Sequence, residues 1–373
     1  MIPLCRPFMG KEERRAVSEV LQSGWLAHGD KVEEFERRFA EFIGVKEAVS
    51  LNSCTSALYL SLIASGIQGE VIIPSFTFVA TANVVVTAGC VPVFVDVEYD
   101  TLTMDAQKIE KKITRSTRAL IPVHFGGQSC EMDEILKVAK KYHLTVIEDS
   151  AETIGGTYRG RKTGSFGSGC FSFFPTKNMT TGEGGMVTTD SKELAQKIRA
   201  LAGHGISSTA LSREKSGLPW FRSASYPGYN FRMSNILAAV GVEQLKKIEE
   251  MNQRRREHAA YLNEKLRSIE EIDLPVEKQW CTHVYQMYTI KVKLLNRDTF
   301  VKKLRERGIG ASVHFDPPVH LQHFYRGKYN DGDLEVTDKV ARSMVTLPMF
   351  PHLKKSQLRQ IVLGVKEVIR EVR

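Results

Sequence analysis

Between Ala48 and Ile147 the sequence alternates short apolar runs with segments of helical periodicity. Ala48–Leu51, Val71–Ile73, Val91–Val97, Ala119–Val123 and Leu144–Ile147 read as strands, while Ser56–Ala64, Val79–Thr87, Ala106–Ile113 and Glu131–Tyr142 read as helices. Strands separated by a helix cannot pair through a tight turn. The helix returns the chain across the sheet, so neighbouring strands run the same way and helices cover both faces. The expectation is an α/β fold with a mainly parallel sheet. Upstream, Lys11–Leu21 and Asp30–Ile43 carry apolar residues at helical spacing (Val32, Phe35, Phe39, Phe42), with Asp30 expected as N-cap and Gly44 as the stop. Downstream, a long helical pattern runs beyond Val242 through Arg267. Val284–Val292 then reads as a strand, Thr299–Arg307 as a helix ended by Gly308, and Lys355–Val372 as an amphipathic helix. A length of 373 residues accommodates a large domain at 1–245 and a smaller one at 246–373.

In parallel sheets ligands bind beyond the carboxyl ends of the strands, so the residues that follow each strand carry the chemistry. Asn52-Ser-Cys-Thr-Ser-Ala57 places small hydroxyl residues at the opening of a helix, where free backbone amides and the helix dipole favour an anion such as phosphate; the same residues also suit an ordinary N-cap. Phe78 follows the second strand and would either cover a cofactor ring or pack in the core. Glu148 and Asp149 end another strand, where a carboxylate suits a pyridine nitrogen, a metal or a helix cap. Finally, the run FSFFPTKNMTTGEGG (171–185) breaks an apolar strand at Pro175 and presents Lys177 in a loop followed by close-packing glycines. A lysine amine held there and partly desolvated is a nucleophile suited to a Schiff base with pyridoxal 5'-phosphate (PLP); otherwise it is one more surface lysine.

Other classes are poorly supported. The formal charge is +9, but the basic residues lie in mixed runs such as KKIEEMNQRRR (246–256), without zinc-finger spacing or aromatic RNA-binding signatures, so no nucleic-acid partner is expected. Cys5, Cys54, Cys90, Cys130, Cys170 and Cys281 form no CxxC pair and read as reduced thiols. No signal peptide or membrane-spanning run is apparent, so a cytoplasmic protein is expected, without a membrane partner. The cluster His314, Asp316, His320 and His323 offers a metal-dependent hydrolase as an alternative, but paired prolines interrupt it and no metal is expected.

Six motifs in order carry a family resemblance: Thr55-Ser56-Ala57-Leu58, PSFTFVATAN (74–83), PVFVDV (92–97), VIEDSAETIG (146–155), GSFGSGCFSFFPTKNMTTGEGGMV (164–187) and GYNFRMSNILAAVGVEQL (228–245). GWLAHG (24–29), HFDPPVHLQHFYR (314–326) and LPMFPHL (347–353) extend the match almost end to end. The chain resembles the DegT/StrS family of PLP-dependent nucleotide-sugar aminotransferases, and the EDSAE run resembles its perosamine-type 4-amino-sugar synthases. The resemblance implies the aspartate aminotransferase-like fold type I: a three-layer large domain around a mainly parallel seven-stranded sheet, a small α+β C-terminal domain, and a homodimer with shared active sites.

Residue by residue, the resemblance implies that Lys177 carries the cofactor, Asp149 binds the pyridine nitrogen and Phe78 stacks on the ring. Thr55, Ser56 and Ser172 would hold the phosphate, and Asn230 would reach it from the partner subunit. Glu152 stands near the ring's phenolic oxygen where many relatives have glutamine or histidine, and Cys54 stands where many have glycine. The sugar side is assigned to Trp25, Arg232, His314 and His323. Relatives that dehydrate rather than transaminate carry histidine in place of the lysine, so Lys177 favours transamination. Glutamate is the implied amino donor, and a nucleotide-diphosphate 4-keto-6-deoxyhexose the implied acceptor, with 3-keto sugars the alternative.

Overall fold

The computed structural model describes residues 1–206, 220, 222–293, 296–329 and 332–372. In chain order the main elements are α1 (Lys11–Ser23), α2 (Asp30–Ile43), β1 (Glu47–Leu51), α3 (Cys54–Ala64), β2 (Glu70–Pro74), α4 (Val79–Thr87), β3 (Val91–Val95), α5 (Ala106–Ile109), β4 (Thr117–Leu120), α6 (Met132–Tyr142), β5 (Thr145–Asp149), β6 (Thr157–Tyr158), β7 (Arg161–Lys162), β8 (Ser168–Ser172), β9 (Gly185–Thr189) and α7 (Lys192–Ala202). There follow α8 (Asn235–Leu245), α9 (Ile248–Leu266), β10 (Ile272–Asp273), β11 (Cys281–Thr282), β12 (Tyr288–Val292), α10 (Arg297–Glu306), α11 (Glu335–Ser343), β13 (Met344–Leu347) and α12 (Lys355–Val372).

Seven strands form the central sheet in the order β1-β9-β8-β5-β4-β2-β3. Every neighbouring pair from β8 to β3 is parallel; only β9 runs against its neighbours β8 and β1. Both faces are buried, and β2 shows why its run is apolar throughout. Val71 and Ile73 pack with α3, α4 and α7 on one face, while Ile72, between them, packs with α5 and α6 on the other. Alternate residues of an extended strand point to opposite faces, so three consecutive apolar residues serve two cores.

The C-terminal part has its own core. Strands β10, β12 and β13 form a three-stranded antiparallel sheet, and Leu262, Phe300, Ile361 and Val365 from α9, α10 and α12 pack against it. Residues at the start of the chain join this core. Ile2 is buried in it, bonded through its amide to the Gly308 carbonyl at 2.7 Å and through its carbonyl to the Gly310 amide at 2.8 Å.

Several expectations need correction. Asp30 is the first helical residue rather than the N-cap, which is Gly29; the Lys31 and Val32 amides that a cap would satisfy bond instead to Oδ1 of Asn235, at 2.9 and 3.3 Å. Gly44 does end the helix, with φ of +87°. The expected long helix through Arg267 is two helices, with Lys246 and Lys247 as a turn between Leu245 and Ile248; the Lys247 ammonium bonds to Glu13 at 2.8 Å and Glu12 at 3.1 Å. The strand expected from Val91 stops at Val95, since the fully buried Asp96 turns to accept the Val336 and Thr337 amides of α11. The strand expected at Ala119–Val123 lies at Thr117–Leu120, and that expected from Val284 begins only at Tyr288. The helix expected over Ala106–Ile113 is α through Ile109 and tightens to a 3-10 turn over Glu110–Lys112.

Candidate active site

The carboxyl ends of β2, β5 and β8 and the loop after β1 open on one cavity of about 420 Å³, a size that suits a cofactor-sized ligand. Leu4 and Cys5 of the N-terminal arm and His314 and Phe315 of the C-terminal part complete its wall.

On the β1 side, α3 begins with Ser53 as its N-cap, whose hydroxyl accepts the Ser56 amide at 3.1 Å. Ser53, Cys54 and Thr55 line the cavity, so a helix N-terminus and hydroxyl groups face it, which is the arrangement an anion needs. Strand β9 lies hard against this turn. A Cβ on Gly185 would sit 2.3 Å from the Ser53 carbonyl, so the glycine is required for the approach. Ser56 is placed differently from Thr55: its hydroxyl donates to Oδ1 of Asn52 at 2.7 Å and pairs with the Ser53 hydroxyl at 3.0 Å, and Ser53 takes the place at the wall.

Asp149 is the last residue of β5 and only 6% exposed. Its Oδ2 accepts the Thr81 hydroxyl at 2.8 Å and its Oδ1 the Ala151 amide at 3.2 Å. Burial pushes its carboxyl above the ordinary range, opposed by these donors and by the Lys177 charge. A cationic partner would reverse that shift, and a protonated pyridine nitrogen is such a partner. Behind it, the fully buried Glu148 accepts the amides of Gly164, Phe166 and Gly167 at 2.7–3.0 Å and Nε2–H of His124 at 3.0 Å. The His124 tautomer follows from the Cys130 amide, which donates to Nδ1 at 3.0 Å. This network holds the strand end in register.

Lys177 lies across the cavity, its Nζ donating to Oε1 of Glu152 at 3.1 Å; Oε2 of Glu152 accepts the Gly126 amide at 2.9 Å. Ser172, the last residue of β8, lines the same wall. Phe78 projects into the cavity at the start of α4, 62% exposed, its ring centroid 6.3 Å from that of Phe315. An exposed phenylalanine over a pocket gives a flat ligand a face to stack on. A helix N-terminus, a buried carboxyl, an aromatic face and a lysine around one cavity together fit PLP, whose phosphate, ring nitrogen, ring and aldehyde call for those four groups.

The histidine cluster does not converge. His314 lines the cavity, bonded through Nδ1 to the Thr346 hydroxyl at 2.8 Å, and burial lowers its pKa. His320 is buried away from it, with Nδ1 2.7 Å from the Ser75 hydroxyl and Nε2 3.3 Å from Asp338; Ser75 is fully buried, so this Ser-His-Asp geometry has no access to substrate. His323 is exposed, and Asp316 pairs with Arg297. Trp25, Asn230 and Arg232 also lie outside this cavity. The Trp25 indole donates to the His28 carbonyl at 2.9 Å, and Arg232 reaches Asn230 Oδ1 at 2.9 and 3.1 Å.

Sequence reasoning missed Ser53, Thr81, Gln286 and Thr346. Ser53 was recoverable as the residue before the first helical one. The others touch the site only through contacts distant in sequence.

Comparison with known proteins agrees with this geometry. Residues 7–366 match the DegT/DnrJ/EryC1/StrS aminotransferase family. The spore coat polysaccharide biosynthesis protein SpsC of Bacillus subtilis is 40% identical over 379 residues, covering 99% of this chain and 97% of its own. Among solved structures, Helicobacter pylori PseC, an aminotransferase involved in the biosynthesis of pseudoaminic acid, superposes with a TM-score of 0.91 at 30% identity, covering 99% of both chains. Spr1654 of Streptococcus pneumoniae in its PLP form superposes with a TM-score of 0.93 at 27% identity, covering 100% of this chain and 99% of its own. The chain therefore belongs to the DegT/DnrJ/EryC1/StrS family and is a sugar aminotransferase whose cofactor is pyridoxal 5'-phosphate.

Proposed function

We propose that the protein transfers an amino group from glutamate to the keto carbon of a nucleotide-diphosphate 4-keto-6-deoxyhexose, making an amino sugar for a surface polysaccharide or glycan. The observation that carries this reading is the placement of Asp149 and Lys177 in one cavity, with Glu152 in the same wall accepting from Lys177 Nζ. The relatives' roles in spore coat polysaccharide and pseudoaminic acid synthesis support the sugar end of it.

When bound, PLP supplies an electron sink that lets a C–H bond beside nitrogen ionise. The residues divide the remaining work. Ser53, Thr55 and Ser172 would hold the phosphate at the N-terminus of α3, Phe78 would cover the ring, and Asp149, oriented by Thr81, would keep the ring nitrogen protonated. Lys177 would anchor the cofactor, and its Nζ, when free, would take up the donor's α-proton. Glu152 accepts a hydrogen bond from that Nζ while the Gly126 amide fixes its other oxygen. His314, held by Thr346 in the cavity wall, would face the acceptor sugar.

The test is a panel of nucleotide-linked 3-keto and 4-keto sugars with glutamate and alternative donors. We expect kcat/KM to be at least 10-fold higher for a 4-keto-6-deoxyhexose than for its 3-keto isomer, since a misplaced reacting carbon costs about 100-fold per Å. Preference for the 3-keto isomer would overturn the acceptor assignment.

The site is shared between two copies of the chain in this reading. Asn230 is exposed, lies outside its own chain's cavity and accepts hydrogen bonds from Arg232, which supports a role at the partner's phosphate site. Lys177→Ala and Asn230→Ala homodimers should each be impaired. Allowing their subunits to exchange creates one doubly damaged and one intact site, so activity should partly return. Demonstrated exchange without recovery would show that Asn230 acts within its own chain.

A further inference from the structure

The loop that carries Lys177 is gripped from the C-terminal part of the chain. The Thr176 carbonyl accepts Nε2 of Gln286 at 2.9 Å. The carbonyls of Lys177 and Asn178 accept the two terminal nitrogens of Arg255 at 3.5 and 3.3 Å. The Asn178 side chain donates to Oδ1 of Asn252 at 2.7 Å and to the Val284 carbonyl at 3.2 Å, and Asn252 in turn donates to the Ile154 carbonyl at 2.9 Å. Asn252 and Arg255 lie three residues apart on α9, hence on one face of it.

Arg255 is the unusual member. It is 2% exposed, and among the described residues no carboxylate lies within ion-pair distance of it. Burial lowers its pKa to about 10, which leaves it cationic at neutral pH. A buried cation without an acid is costly, and an apolar residue of the same shape would fill the space without that cost. What the guanidinium adds is a rigid fork that spans two successive carbonyls.

We propose that Arg255 is a positioning residue for Lys177: by tying the Lys177 and Asn178 carbonyls to α9, it fixes the backbone from which Nζ reaches the substrate. The inference rests on Lys177 being the cofactor-bearing lysine, and that reading fails separately if borohydride fixes the cofactor on another peptide.

The test compares Arg255→Lys and Arg255→Met with the parent as PLP-loaded enzymes, and measures hydrogen exchange in the cofactor-free proteins. A lysine ammonium is a single point that cannot span both carbonyls, and methionine offers no donor. We expect kcat to fall several-fold in Arg255→Lys and about 10- to 100-fold in Arg255→Met, with KM for both substrates within threefold of the parent, as for a displaced catalytic group. Amides of 174–181 should exchange faster in the order parent, Lys, Met, while those of the central sheet keep the parent's rate. A scaffold role would instead speed exchange evenly through both parts of the chain. If Arg255→Met does not fold, the Arg255→Lys comparison decides. Parental kcat in Arg255→Lys, or a loss of kcat with even acceleration of exchange, would overturn the proposal.

Discussion

Lys177→Ala should fold, bind PLP without a covalent link, and lose turnover by about 10⁴-fold or more, because one substitution removes both the anchoring amine and the proton carrier. The loss corresponds to at least about 5 kcal/mol of transition-state stabilisation. Binding should survive because the other holds are independent of the lysine: the N-terminus of α3, Phe78 and Asp149 stand on different elements. Single-turnover kinetics and the visible spectrum, with and without borohydride, check both halves. Parental turnover would remove Lys177 from the mechanism.

Asp149→Asn should lower kcat by about 10²-fold or more while weakening PLP binding much less, since the amide keeps the size and loses the charge that holds a ring nitrogen protonated. The same variant has an opposite effect on the empty protein. Burial raises the Asp149 pKa above its unfolded value, so the protonated group fits the fold better than the charged one. Its contribution to stability is therefore full below the unfolded pKa and is lost as pH rises through the folded pKa. Cofactor-free Asp149→Asn should be at least as stable as the parent at neutral pH, and the parent's advantage of mildly acidic over neutral conditions should shrink in the variant. Thermal unfolding of the cofactor-free pair across that range measures it. A less stable variant at neutral pH, or normal turnover, would show that the strand end was misassigned.

The alternation of strands and helices made the sheet legible, because period-two and period-3.6 patterns are written locally. Asp149 was legible too, since a carboxylate at the end of a parallel strand stands where ligands bind. The assignments that shifted depended on partners far along the chain. Asn235 caps α2 from some 200 residues away, so nothing near Asp30 announces that its capping role is taken. Lys246 and Lys247 are good helix formers, so nothing in their propensity announces the turn between α8 and α9, where Lys247 meets Glu12 and Glu13 from the far end of the chain. Ser53 and Ser56 differ by one turn of helix and by nothing in chemistry; the hydroxyl that Asn52 occupies is visible only in three dimensions. Arg255, read from sequence, is one more basic residue in a charged helix.

The start of the chain has a consequence for the cavity wall. Ile2 and Leu4 are bonded into the same body that β10, β12 and β13 build, through Gly308, Gly310 and Met349, so that body is assembled from both sides of the sequence. The polypeptide crosses to the larger sheet after Cys5 and returns along α9, whose Ile248 and Met251 pack on the sheet side and whose Ala259 and Leu262 pack in the C-terminal core. Hydrogen bonds join the two cores as well: β11 pairs with β6, and the Thr337 amide and hydroxyl both donate to Asp96. Leu4 and Cys5 lie beside the first crossing and in the cavity wall, so the wall of the site is continuous with the C-terminal core through the backbone itself.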